Sequence, residues 1–363
     1  MQRREFNRNL LGLPLAAALP SMAFAAADFD PHLLPPGGSI TDVPGLKVGH
    51  YTLTERPTGC TVMLCEAGAT AGVDVRGSAP GTRETDLLSP INEVQKVNAI
   101  LLSGGSAYGL DAASGVMRWL EEHHAGYPIG TLGVVPIVPA AILMDLGVGD
   151  FKIRPNADSG YKACVAATSG PVAEGCVGAG AGATIGKMFG NGFSMKSGLG
   201  TASHKVPGTD IVVGAIVAVN AVGDVVNPQT GKIVAGARSE DGKGYRDSMA
   251  AMMGGYRVVV QPAANTTIGV VATNAKFTKT QMTKIAQMSH DGYARAINPV
   301  HTMGDGDTIF SMSTGTSNTE ADLSAIGAIA ATVMARAIVR AAMQATSVPE
   351  LKLIAYRDYA GRG

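Results

Sequence analysis

The residues best placed to do chemistry lie in the last third of the chain. At Asn265-Thr266-Thr267 a short Pro-containing turn enters an apolar run, Thr266–Thr273. A threonine hydroxyl is a weak nucleophile at neutral pH. If the peptide bond in front of it breaks, the freed α-amine lies within reach of its own Oγ. With an ordinary pKa of about 7.7–8.0, that amine can act as the general base. The chemistry needs Thr, Ser or Cys at the first position of a rigid strand, with an exposed or strained bond before it. Taken alone, Asn265-Thr266-Thr267 is a weak signal and reads first as an ordinary turn entering a strand.

The second cluster is His301-Thr-Met-Gly-Asp305-Gly-Asp307-Thr308. Two carboxylates separated by one glycine can converge from a loop entering a strand, one holding an amine or hydroxyl and the other holding the first. With His301 they form an alternative divalent-metal set, though without the regularly spaced oxygen ligands of a calcium loop. The bland alternative is an Asx-turn. Lys187 ends the run Gly178-Ala-Gly-Ala-Gly-Ala-Thr-Ile-Gly-Lys187. This is no phosphate loop, because Ala181 and Met188 stand where that loop needs glycine and Ser/Thr. A lysine here either tunes nearby carboxylates or ends a strand in solvent. Asn220 closes an apolar run, where its side-chain amide can donate to an oxyanion or simply turn the chain. Ser103-Gly-Gly-Ser106 before a helix can bind an anion or merely cap the helix, but it lacks the G-x-S-x-G elbow.

The elements that must position these groups alternate between strand and helix. Strand patterns cover Leu46–Leu53, Cys60–Cys65, Ala71–Val75, Asn98–Leu102, Ile211–Val219, Asp224–Val226, Tyr256–Gln261, Thr266–Thr273 and Asp307–Ser313. Helical periods cover Ala107–Glu122, residues 158–168, the segment from Thr278 with Gln281 as its capping-box partner, and a C-terminal helix opening with Ser317-x-x-Glu320. The Gly178–Lys187 run reads as flexible, and residues 227–252 as an exposed polar connection of the kind that is later nicked. This pattern predicts one layered α/β domain rather than two.

Composition removes several function classes. The 29 basic and 29 acidic residues cancel, so nothing favours nucleic acid or an anionic membrane surface. Forty-seven glycines and 5% aromatics predict a small-residue interior with close backbone approaches. Arg3-Arg4, the apolar run Leu10–Leu19 and Ala23-Phe-Ala25 read as a signal peptide over residues 1–25, either twin-arginine or ordinary secretory. The mature protein, from about Ala26, is then expected to be periplasmic or secreted and free of membrane. Cys60, Cys65, Cys164 and Cys176 read as buried free thiols, with disulfides as the alternative.

In order along the chain, Gly38-Ser-Ile-Thr-Asp-Val-Pro-Gly-Leu-Lys-Val-Gly-His50, Thr58-Gly-Cys-Thr-Val62, Leu102-Ser-Gly-Gly-Ser-Ala-Tyr-Gly-Leu-Asp111, Gly178-Ala-Gly-Ala-Gly182, Asn265-Thr-Thr-Ile268 and Gly304-Asp-Gly-Asp-Thr308 resemble the P1 or DmpA-type peptidases. These include L-aminopeptidase/D-esterases, β-peptidyl aminopeptidases and nylon-oligomer hydrolases, and the resemblance spans nearly the whole mature chain. It implies an αββα sandwich similar to N-terminal-nucleophile hydrolases, with its own connectivity and two central sheets. It implies autocleavage between Asn265 and Thr266, giving chains 26–265 and 266–363. By the same resemblance Thr266 is the nucleophile, Asp305 and Asp307 position and tune its amine, Lys187 matches a lysine of the nylon-hydrolase branch, and Asn220 matches the oxyanion asparagine. No cofactor is implied. The expected partners are a small peptide or amide substrate and further copies of the chain, as tetramers. In two places the chain departs from many relatives. Asp305-Gly-Asp307 stands where they have Ser-x-Glu, and Met144 stands where an aromatic is common. A non-catalytic binding protein on the same fold is the competing reading.

Overall fold

Strand parity decides the layers of this molecule. The computed structural model describes residues 37–257 and 265–361. Its main sheet has nine strands: β1 (Lys47–Thr52), β2 (Gly59–Val75), β3 (Thr82–Arg83), β4 (Lys96–Ser103), β5 (Ala140–Ile142), β6 (Leu199–Lys205), β7 (Val212–Asn220), β8 (Thr266–Thr273) and β9 (Thr308–Ser313). Their order is β6-β7-β8-β9-β2-β4-β5-β3, with β1 also paired to β2. The β8–β9 and β4–β5 pairs are parallel and the others antiparallel.

One strand belongs to both halves of this sheet. The sequence pattern splits Cys60–Cys65 from Ala71–Val75, but the two are a single 17-residue strand. Cys60–Leu64 pairs with β4, the register then slips between Leu64 and Ala69, and Thr70–Val75 pairs with β9. An irregularity of this kind bends and twists a strand, so the sheet can fold across itself. Met63 and Cys65 then share one core with Ile216, Ala218, Ile268, Val270, Phe310 and Met312 of the other half. Cys60, Val62 and Leu64 point the opposite way, onto α1 (Ala112–Glu122) and α2 (Ala157–Val165). Val213, Ala215, Val217 and Val219 face α3 (Lys279–Ala296) and α4 (Leu323–Gln344). The result is the expected αββα sandwich, with its two sheet layers joined through β2 into one ladder.

Several local expectations change in three dimensions. The Thr278/Gln281 capping box forms as predicted. The C-terminal one does not: α4 begins at Leu323 with Asp322 as its cap, because Ser317 Oγ is spent on Asp210 Oδ1 at 2.7 Å. This helix is apolar and long enough to cross a membrane by composition, but it packs in the core, with Ile326, Ala330, Val333, Met334, Ala337 and Ile338 buried. The first helix opens with a 3-10 segment, Ser106–Asp111. The supposed exposed connection is partly core. Ile233–Ala235 pairs with Asp224–Val226, which also pairs with Ile297–Asn298, and Val234, Ala235, Ala237 and Ser248 are buried. Residues 258–264, which include most of the expected Tyr256–Gln261 strand and the turn before Asn265, lie outside the described residues, as do residues 1–25. The described part of residues Leu34–Gly363 belongs to one compact unit.

Candidate active site

Three neighbouring strands bring the sequence-predicted residues to one end of the sheet. Asn220, the last residue of β7, is the register partner of Thr266, the first of β8. β9 runs parallel to β8, so the loop that precedes it, His301–Asp307, arrives at the same end, and Asn265 bridges to Asp305. Thr266 is 2% exposed, Asn265, Asp305 and Asp307 are 1% exposed, and Asn220 is fully buried. Thr266 Oγ donates a hydrogen bond to the carbonyl oxygen of Asn265. That oxygen also accepts from Gly306 N–H at 3.1 Å. Glycine is required here, because a Cβ at position 306 would lie 2.5 Å from Ala79 O and 2.9 Å from Thr266 Oγ.

The two aspartates have different shells. Asp307 Oδ1 accepts from Thr267 N–H at 2.7 Å. Its Oδ2 receives His301 N–H at 3.2 Å and stands 2.8 Å from His301 Nδ1. Asp305 Oδ2 takes both the backbone N–H (2.8 Å) and the hydroxyl (2.6 Å) of Thr302. Asp305 Oδ1 is buried and has no hydrogen-bond partner among the described residues. Burial pushes the Asp305 carboxyl up to about 6; Asp307 adds to the rise, while Thr302 and Lys187 oppose it. A carboxyl with one bare oxygen and a pKa near neutrality can accept or hold a proton at the pH where hydrolases work.

Lys187 is not a solvated strand-end lysine. Its Nζ lies 2.7 Å from Asn220 Oδ1 and 3.1 Å from Asn220 O. Burial lowers its pKa to about 7, against the pull of Asp305 and Asp145. The glycine-rich run that delivers it is packed rather than flexible. Gly186 has φ +67° and lies so close to Ala237 that a Cβ would sit 2.1 Å from its nitrogen. Asn220 is oriented on every side: Oδ1 also accepts from Thr184 N–H at 3.0 Å, and Nδ2 donates to Met144 O at 3.0 Å. Met144 thus supplies a carbonyl, and Asn220 keeps one amide proton beyond that bond. Met144, Thr184, Lys187, Asn265 and Leu353 border a cavity of about 360 Å³.

Other expected sites resolve differently. The Ser103–Ser106 turn does hold an anion, but an internal one, since Gly105 N–H donates to Asp145 Oδ1 at 2.8 Å. Among the described residues no group of three or more His, Cys, Asp and Glu has a metal-site arrangement; His301 instead binds Asp307. The four cysteines are free, three buried and Cys176 partly exposed. Sequence reasoning missed His301 and Thr302 as supports of the aspartates and Gly306 as a donor. The Thr302–Asp305 spacing of three was the available signal, since it is that of a capping pair.

A threonine on a strand end, pressed against the preceding carbonyl and flanked by a carboxyl of raised pKa, a lysine and an oriented amide, is an arrangement suited to amide hydrolysis on an αββα fold. Residues 38–353 match the model of peptidase family S58, and the chain belongs to that family. It is 43% identical over 343 residues to an uncharacterized aminopeptidase of Mycobacterium leprae, covering 86% of this chain and 92% of the relative. It is 32% identical over 319 residues to a 6-aminohexanoate-oligomer endohydrolase of Kocuria sp., covering 83% and 85%. Among solved structures it is similar to a Burkholderia sp. β-aminopeptidase, with TM-score 0.61, 25% identity and coverage of 87% and 90%. The L-aminopeptidase D-Ala-esterase/amidase of Ochrobactrum anthropi, at 20% identity and TM-score 0.63 over 86% and 88%, shares the fold. The protein is a hydrolase of peptide and amide bonds.

Proposed function

We propose that the chain cuts itself between Asn265 and Thr266 and that Thr266 then serves as the nucleophile of an exported aminopeptidase. The observation that carries this reading is the contact of Thr266 Oγ with the Asn265 carbonyl, whose oxygen Gly306 N–H already holds. In the first turnover Oγ attacks the Asn265 carbonyl carbon and its proton passes to a neighbouring base. The C–N bond breaks as that base returns the proton to the Thr266 nitrogen, which leaves as an amine. Water then hydrolyses the resulting ester, releasing chain 26–265 with a carboxyl end and chain 266–363 with a free amine. In later turnovers that amine takes the Oγ proton and hands it to the substrate's nitrogen. The amide C–N bond breaks, the substrate's amine leaves, an acyl-enzyme forms on Thr266, and water releases the acid.

The remaining groups fall into roles around this centre. Asp305, with one bare oxygen beside the new amine, holds the ammonium. Asp307 fixes the backbone of Thr267. Asn220 directs its free amide proton toward the oxyanion, and Lys187 holds Asn220 and balances Asp305. Short peptides and aminoacyl amides are the preferred substrates. The relative from Kocuria sp. supports ω-amino-acid oligomers as a second class, and both belong in the first screen. Arg3-Arg4 and the apolar run behind them support export to the periplasm, testable by cell fractionation. Assembly of the cut units into a homo-oligomer, a tetramer, is testable by analytical ultracentrifugation.

The primary test is the intact mass and N-terminal sequence of the purified protein. Two fragments are expected, the smaller beginning Thr-Thr-Ile-Gly. Thr266→Ala is expected to stay uncut and to lose at least about 10³-fold of hydrolysis, as nucleophile deletions do elsewhere. Cleavage that persists in Thr266→Ala would remove the assignment. A wild-type chain that stays whole would favour a binding protein on the same fold.

A further inference from the structure

Thr266 Oγ rests on one carbonyl, that of Asn265, and Gly306 N–H holds the same oxygen. A hydroxyl that cuts this bond first and substrates later meets every acyl carbon at the same place. Asn265 therefore marks the acyl position, and its surroundings are what the acyl group of a substrate encounters. Asn265 Oδ1 is buried and has no hydrogen-bond partner among the described residues. The position thus leaves a polar side chain unpaired, which costs free energy.

Asn265 borders the cavity of about 360 Å³. At about 30 Å³ per water-sized group, this takes on the order of ten non-hydrogen atoms, well beyond an alanyl side chain. Met144, Val222, Leu351 and Leu353 form its apolar lining. Among the described residues that line it, Asp145 is the one carboxylate, and its oxygens are already held by Arg56, Gly105 N–H and Thr58. A cationic side chain would find no uncommitted counter-charge there. Lys187 is engaged with Asn220 O and Oδ1, and burial brings its pKa down to about 7. It is a weak partner for an acidic side chain.

The two leucines come from the far end of the chain. After α4, Val348 N–H donates to Leu353 O at 2.8 Å and Leu353 N–H returns to Val348 O at 3.2 Å. Pro349–Leu351 forms a 3-10 turn between them, closed by Lys352 in the left-handed region at φ +57°. Lys196 N–H then ties Ile354 O to the body of the domain at 2.8 Å. Leu351 and Leu353 are left half-buried on the cavity, with apolar surface that an acyl group can cover.

We propose that this cavity is the acyl pocket, that Leu351 and Leu353 set its size and polarity, and that the enzyme prefers aminoacyl groups with large uncharged apolar side chains. The assignment rests on Thr266 as nucleophile and adds which substrates reach it.

The test is kcat/KM of the full chain on the p-nitroanilides of alanine, leucine, methionine, aspartate and lysine. Leucyl and methionyl substrates are expected to exceed the alanyl one by at least about tenfold, since each buried methylene is worth about tenfold or more. Aspartyl and lysyl substrates are expected to fall at or below the alanyl one. Leu353→Trp fills the pocket and should lower the leucyl-to-alanyl ratio by about tenfold. Leu353→Glu adds a carboxylate and should raise the lysyl-to-leucyl ratio by at least about tenfold. Both readouts are ratios taken on one sample, so a partly misfolded preparation leaves them unchanged. A wild-type preference for alanyl or charged substrates would overturn the proposal, as would ratios that stay put in both variants. Intact mass of the same samples separates the two readings. A wild-type chain that stays whole and hydrolyses none of the five removes Thr266 as nucleophile and the pocket with it. A chain that is cut and active with another preference overturns the pocket alone.

Discussion

Asp145 and Asp305 are buried to the same degree, 1% exposed each, yet their surroundings differ in kind. Asp145 has a complete shell. Oδ1 accepts from Arg56 Nη2 and Gly105 N–H, both at 2.8 Å, and Oδ2 accepts from Thr58 Oγ at 2.6 Å. Arg56 in turn donates to the carbonyls of Asp145, Val148 and Ile153. Among the described residues, Asp305 has its donors on one oxygen only, both from Thr302, and makes no ion pair. A buried carboxylate with donors on both oxygens is a structural tie. One left half-directed beside a strand-end threonine is available for proton chemistry.

Variants at the two aspartate centres are expected to separate activity from stability. Asp305→Asn should keep the fold and lose about 10²–10⁴-fold of hydrolysis, the range of a general acid–base group. Steady-state kinetics beside a thermal melt would check this, and a variant that is unstable but fully active when folded would reverse the assignment. Arg56→Met should behave the other way. It strands the Asp145 charge in the interior and should cost about 3–5 kcal/mol of stability, read by denaturant unfolding, while the folded fraction still processes itself. Loss of processing without loss of stability would make Asp145 part of the chemistry.

Protonation gives a finer separation. The folded protein keeps the Asp305 proton more tightly than the unfolded chain does, since burial raises the group to about 6. Asp305 therefore costs stability as pH rises from the ordinary carboxylate range to about 6, on the order of 3 kcal/mol in all. Asp305→Asn has no such group, so its melting temperature relative to wild type should climb between about pH 4 and 6 and level off above. A difference that stays flat across that window would mean that the Asp305 carboxyl is not raised.

The smallest expected effect concerns His301, which supports Asp307 rather than the reacting atoms. Its backbone is in the left-handed region, φ +57°, which asparagine tolerates better than most residues. His301→Leu should lower hydrolysis by about tenfold, comparable to the loss of one hydrogen bond to a charged group, and shift its pH profile. His301→Asn, which keeps a donor for Asp307, should recover most of that loss. Equal losses in both variants would point to a role for the imidazole itself.

Local sequence marked where β8 and β9 run, the amphipathic faces of the helices and the Thr278 cap, because each depends on side-chain periodicity or on neighbours three residues apart. The order of short motifs also pointed to the family, the αββα layering and the set Thr266, Asn220, Lys187, Asp305 and Asp307. The chain could not announce that Cys60–Cys65 and Ala71–Val75 are one bent strand, since that depends on β4 and β9 pairing to its two ends. Nor could it show that Ser317 would prefer a distant Asp210 to its own helix. The difference between Asp145 and Asp305 belongs to the same class. Sequence singled out Asp305 as one of an acidic pair, but only the folded chain brings Arg56 across 89 residues to Asp145 and leaves an oxygen of Asp305 bare. Periodicity is a property of neighbours along the chain, whereas a hydrogen-bond shell is completed by whichever distant donors the packing happens to deliver.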